Sequence, residues 1–141
     1  MAAITKMSFN EARDFIRMFN NGKPISLFLR KPRNGYTAWA FAGSPHPKIY
    51  LDPHHWNFHR WFPSAIKAVL AHEVGHFNIG DHTKSQAARE LQVQMWSMKR
   101  AKEIGDTEIQ TLLKEDFRNW DFETGEYKRA RRMYLKHRRR K

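Results

Sequence analysis

The chain contains no cysteine. That excludes a disulfide framework and a thiolate zinc centre, so any metal bound here must be held by histidine and carboxylate. Long apolar runs are also missing: no stretch approaches the roughly 20 residues that span a bilayer. The N-terminus lacks the apolar core of a secretory signal, so a cytoplasmic location is expected and no membrane partner. Internal repeats are absent, as are acids after residue 127. Nine of the 26 lysines and arginines lie in 128–141, which leaves 17 against 14 acids elsewhere, a balance of only +3 out of a total of +12. A hydrophobic share of 40% over 141 residues suits one folded domain. The expected division is a domain over 1–127 and a basic tail over 128–141.

The tail admits two readings. Lys128, Arg129, Arg131, Arg132, Arg138, Arg139 and Arg140 form a cluster that can bind nucleic-acid phosphates without sequence preference. Alternatively, 128–141 is a solvated and frayed terminal helix.

Periodicity gives the rest of the order. Ser8 followed by Glu11 is a capping-box pattern, and Phe9, Ala12, Phe15, Ile16 and Phe19 recur at helical spacing up to Asn20-Asn21-Gly22. Three strand-like runs follow, at 25–30, 36–42 and 48–51, separated by turn-forming stretches that contain Asn34-Gly35 and Pro45-His46-Pro47. The pattern predicts an α+β fold in which a small antiparallel sheet of about three strands precedes packed helices. Its last strand is expected at the sheet edge, where an extended peptide could pair with it. The aromatic, histidine-rich stretch 54–62 reads as a packed connection, with His54 and His55 kept as further site candidates. Helices are expected from Pro63 to about Gly80, from Thr83 to about Ile104 before Gly105, from Thr107 to Trp120, and through the basic end.

Residues 72 to 76 read His-Glu-Val-Gly-His. Histidines at i and i+4 lie about 6 Å apart along a helix and about 40° apart around it, so both imidazoles can reach one metal ion. Glu73 falls on the flank of that face, placed to touch a water beside the metal. Zinc hydrolases with a glutamate general base use this arrangement. Ala65 and Val69 lie on the same side as His72 and His76, so the stripe is expected to face the interior. A satisfied core pair is the plainer account of two such histidines; the ligand spacing and the Glu between them favour a metal.

A catalytic zinc site takes three protein ligands and an open position. His82 follows His76 at metzincin spacing, although the glycine of that motif would fall at Ile79 rather than Gly80. Glu90 is the other candidate. If the helices on either side form an antiparallel hairpin centred near Asp81, Glu90 faces His72. An acid turned toward the core needs such a partner; the plainer account is a surface salt bridge. Both candidates stay open on these grounds.

The small strands, the His72-Glu73-Val74-Gly75-His76 helix, the Gly80-Asp81-His82 loop and a next helix with Glu90 resemble the zincin metallopeptidases. The chain is most similar to the compact gluzincin-like group that includes the ImmA/IrrE peptidases and small phage-encoded relatives. The likeness is closest over 63–98; the gap from His76 to Glu90 is shorter, and no helix-turn-helix module is present. The resemblance implies Zn²⁺ as cofactor, protein or peptide substrates, Glu73 as general base, and a cytoplasmic setting, that of a phage-infected host cell included. Tyr50, His82 and Tyr127 are candidate oxyanion donors. The alternative is a nucleic-acid-associated binding protein, its zinc structural and closed by His72, His76, His82 and Glu90, with the tail as contact surface.

Overall fold

Ser8 begins the first helix as the sequence predicts. Its Oγ accepts from Glu11 N at 3.1 Å while the Glu11 carboxylate accepts from Ser8 N at 3.3 Å, satisfying two N–H groups at the start of α1 (Phe9–Phe19). The computed structural model describes residues 6–31, 38–41, 46–79 and 86–118. The tail, His82 and Tyr127 lie outside the described residues. After α1 the order is β1 (Ser26–Leu29), β2 (Ala38–Phe41), β3 (Lys48–Leu51), α2 (Pro53–His59), α3 (Pro63–Asn78), α4 (Gln86–Glu103) and α5 (Thr107–Arg118). The fold is α+β.

The sheet departs from the expected antiparallel arrangement with β3 at the edge. Its order is β1-β3-β2, with β3 parallel to β1 and antiparallel to β2. β3 is therefore the central strand, and its backbone is committed on both sides. An extended peptide cannot add to it; the edges belong to β1 and β2. Eight residues, 30–37, join β1 to β2. A connection that long does not force the tight hairpin pairing a two-residue turn imposes. β3 can then insert between them, where Ile49 and Leu51 become fully buried.

α2 is a second departure, a helix where a connection was expected. The Asp52 carboxylate accepts from His54 N at 2.9 Å, Pro53 occupies the first helical position, and Trp56 is buried.

α3 is the hub, packed against α1, α2, α4, α5 and β2. Its deepest residues are Ile66, Leu70, Ala71 and Val74. The stripe of Ala65, Val69, His72 and His76, expected to face the interior, is only half-buried. With neighbours on so many sides, the apolar face of α3 is broader than one stripe. The histidines fall on its margin, where the core meets α4.

One apolar core joins Phe15, Ile16 and Phe19 of α1, Leu27 and Ile49 of the sheet, Leu70 and Val74 of α3, Leu91 and Ala101 of α4, and Ile109 and Leu113 of α5. Arg100 of α4 ties down α1, donating to the carbonyls of Phe19 and Met18 at 3.0 and 2.9 Å. Gly105 ends α4 at φ 76°, a conformation that favours glycine.

Candidate metal centre

α3 and α4 cross closely because small groups meet. A Cβ on Gly75 would lie 2.8 Å from Val93 Cγ1 and 2.9 Å from Ser97 Oγ. Ser97, fully buried, bridges the helices with its single O–H shared between the carbonyl of Ala71 at 3.0 Å and that of Val93 in its own helix at 2.8 Å. This approach carries the first turns of α4 against the pentad of α3.

Glu90 occupies the space between the two histidines. Its Oε2 lies 2.8 Å from His72 Nε2 and its Oε1 lies 3.3 Å from His76 Nε2. The hairpin register is not the expected one, however. The contacts of His72 with Gln94 and of His76 with Glu90 put its midpoint near 83 rather than 81. Glu90 is therefore level with His76 and reaches back one turn to His72.

Gln94 is the residue that sequence reasoning missed. It lies one turn after Glu90 and is fully buried. Its Nε2 donates to the carbonyl of Leu113 in α5 at 2.6 Å, which turns its Oε1 toward His72 Nδ1, also at 2.6 Å. An amide oxygen only accepts, so Nδ1 carries the proton. The available signal was a polar residue at i+4 from an acid, on a helix face otherwise apolar.

A neutral His72 with its proton on Nδ1 presents a bare Nε2 lone pair to a carboxylate oxygen 2.8 Å away. Two acceptors at that separation require a cation or a proton between them. With a proton in that place, His72 is pushed up to about 9: burial opposes the charged ring, but the hydrogen bond to Glu90 and the charges of Glu73 and Glu90 prevail. The Glu90 carboxyl lies well below the usual range, because the hydrogen bonds and charges of both histidines overcome its desolvation. Burial and the neighbouring Glu90 push Glu73 up, against the pull of the two histidines and of a hydrogen bond from the Ala40 backbone of β2.

These residues could hold a divalent metal ion, and their chemistry admits zinc. Ligand atoms each about 2.0–2.1 Å from a common tetrahedral ion stand roughly 3.3 Å from one another; the 2.8 and 3.3 Å separations are in that range, each through a different oxygen of Glu90. Neutral imidazole nitrogen and carboxylate oxygen are zinc donors, and a ligating imidazole anchored through its other nitrogen is a common supporting feature. The ligand atoms of His72, Glu73 and His76 also lie within 4.8 Å of one another. Of the two carboxylates, Glu90 is the one that touches both Nε2 atoms, while Glu73 is buried and held by the β2 backbone.

Other candidates lie elsewhere. On α2 the His54 ring sits 5.8 Å from Phe58, and His55 stacks on His59 at 4.1 Å, outside the His72, Glu73 and His76 cluster. Tyr50 alternates away from the buried Ile49 and Leu51 and faces Phe28, its ring 5.8 Å distant. Comparison of the chain with protein-family models, with curated proteins and with solved structures returns no match.

Proposed function

We propose that the protein is a zinc-dependent peptidase. His72 and His76 would hold the ion through Nε2, with Glu90 as the third ligand, beside a reacting water. When bound, zinc would supply Lewis acidity and lower the pKa of that water toward neutrality. Glu73, with its proton affinity raised by burial, accepts a proton from the water as it attacks the scissile carbonyl and delivers it to the departing amine. The backbone N–H of Ala40 fixes the Glu73 carboxylate, and Gln94 fixes the ring of His72. Support comes chiefly from the Glu90 carboxylate shared by two Nε2 atoms while His72 Nδ1 is committed to Gln94. A surface salt bridge does not need that anchoring.

The test is Glu73→Gln, which keeps an oxygen to accept from Ala40 N. Zinc content, measured on the purified protein, should stay near one equivalent, while hydrolysis of unstructured peptides should fall by roughly 10²–10⁴-fold. Bound zinc without any hydrolysis that depends on Glu73 would overturn the peptidase reading.

A further inference from the structure

The sheet carries a row of aromatic rings on its outer face. Alternation along the strands buries Leu27, Ile49 and Leu51 on one side and turns Phe28, Tyr50 and Trp39 to the other. The register sets these three abreast, Phe28 and Trp39 each opposite Tyr50, across all three strands. The rings of Phe28 and Tyr50 are 5.8 Å apart. Phe28 is 44% exposed and Trp39 39%. Large aromatics gathered at this exposure mark an interaction surface more often than scattered surface residues do.

Along the sequence, the charge in and near the three strands is of one sign. From Phe15 to Leu51 the chain holds Arg17, Lys23, Arg30, Lys31, Arg33 and Lys48 and not one acid. Lys48 shares the face of Tyr50, two residues before it on β3. Arg30 follows Phe28 at the same parity, its N–H donating to Leu51 O at 3.0 Å so that the β1–β3 ladder continues. Lys23, Arg30 and Lys31 are exposed. The next acid, Asp52, is turned into the start of α2.

A partner helix would be served by the apolar rings, but the strands and their described flanks carry cations and no acid from Phe15 to Leu51, which does not match the mixed charge of an ordinary protein surface. A polyanion with planar faces answers both features. We propose that Phe28, Tyr50 and Trp39, with Lys48 and Arg30, bind single-stranded nucleic acid, the bases stacking on the rings and the phosphates lying along the cations. Stacking of this kind is tolerant of sequence and needs unpaired bases. These side chains are distinct from those of the candidate metal centre, since Trp39 points to the opposite face of β2 from Ala38 and Ala40.

The test is fluorescence anisotropy of the full-length protein with a labelled oligothymidine of about 12 nucleotides. Phe28→Ala and Trp39→Ala should each weaken binding by roughly 5- to 100-fold, the range expected for one stacked base. Trp39→Phe should retain most of it, and a duplex of equal length should compete poorly. Both Ala positions are exposed, and unchanged thermal unfolding verifies that the sheet persists. Ala variants that bind as the parent does, equal affinity for duplex, or no binding of single strands would each overturn the proposal. The tail is identical in every variant, so the ratio isolates the sheet. Glu73→Gln leaves this face intact, so the hydrolysis and binding readings stand or fall separately.

Discussion

His72 Nδ1 and Gln94 Oε1 stand 2.6 Å apart, and Gln94 is itself held by the Leu113 carbonyl at 2.6 Å. A chain of two hydrogen bonds thus runs from the backbone of α5 through α4 to a histidine of α3 and sets which of its nitrogens is bare.

Gln94→Leu removes the acceptor for Nδ1–H and the tie from α4 to the Leu113 carbonyl of α5. Zinc affinity, read by competition with a chromophoric chelator, should fall by about 10–100-fold, the usual effect of losing a group that orients a ligand. Stability should fall by about 0.5–1.5 kcal/mol, the net worth of a hydrogen bond, since the Leu113 carbonyl inside α5 keeps its intrahelical partner. Gln94→Glu restores an acceptor toward His72 and should recover part of the affinity. Undiminished affinity in Gln94→Leu would mean that the ring orientation is set by other contacts.

The third ligand is settled by a pair of variants. Glu90 touches both Nε2 atoms, so Glu90→Ala should lose stoichiometric zinc at concentrations that saturate the parent. His82→Ala should keep it. The opposite outcome would assign the third position to His82, as the metzincin-like spacing suggested.

Much of this site was legible in the sequence because it rests on local periodicity. The pentad, the Ser8–Glu11 box and the stop at Gly105 depend on residues a turn apart, and the structure has each where spacing put it. Glu90 was reachable through a hairpin symmetry argument, although the midpoint was misplaced by about half a turn. What local pattern does not encode is which distant elements meet. The insertion of β3 between β1 and β2 depends on sheet topology. The part played by Gln94 depends on where the Leu113 carbonyl lies, and that follows from the packing of α5.

His55 gives the fold a pH dependence of its own. Its Nε2 is buried with no hydrogen-bond partner among the described residues, and its ring stacks on His59 at 4.1 Å. Burial, then the charge of His59, lower it to about 4 against the opposing pull of Asp52. The folded-state value lies below that of the unfolded chain, near 6.5. Above pH 6.5 neither state carries the proton and the stability is fully present. As pH falls from 6.5 toward 4 the unfolded chain takes up a proton that the folded chain refuses, and stability is lost. The urea midpoint should therefore drop between pH 7 and pH 5, and it should drop less in His55→Phe. Parallel curves for the two proteins would remove His55 as the cause.

Gly75 tests the helix crossing on which the metal centre depends. In Gly75→Ala the new methyl would lie 2.8 Å from Val93 Cγ1, 2.9 Å from Ser97 Oγ and 3.1 Å from Val93 O. Valine is stiff about χ1, Ser97 is anchored to two carbonyls, and the Val93 oxygen is backbone. None of the three can swing aside, so the helices must part. Overpacking of this kind costs about 1–3 kcal/mol, against a gain of roughly 1 kcal/mol for alanine over glycine within a helix. The balance is a lower melting temperature, by a few degrees. Parting α3 from α4 also draws Glu90 away from His76, so zinc affinity should fall with stability. Val93→Ala added to Gly75→Ala relieves the nearest contact alone, and should recover less than the full loss because Ser97 Oγ and Val93 O still obstruct. A rise in melting temperature for Gly75→Ala would show that the helices separate at little cost, and that the close approach is not what holds Glu90 against the histidines.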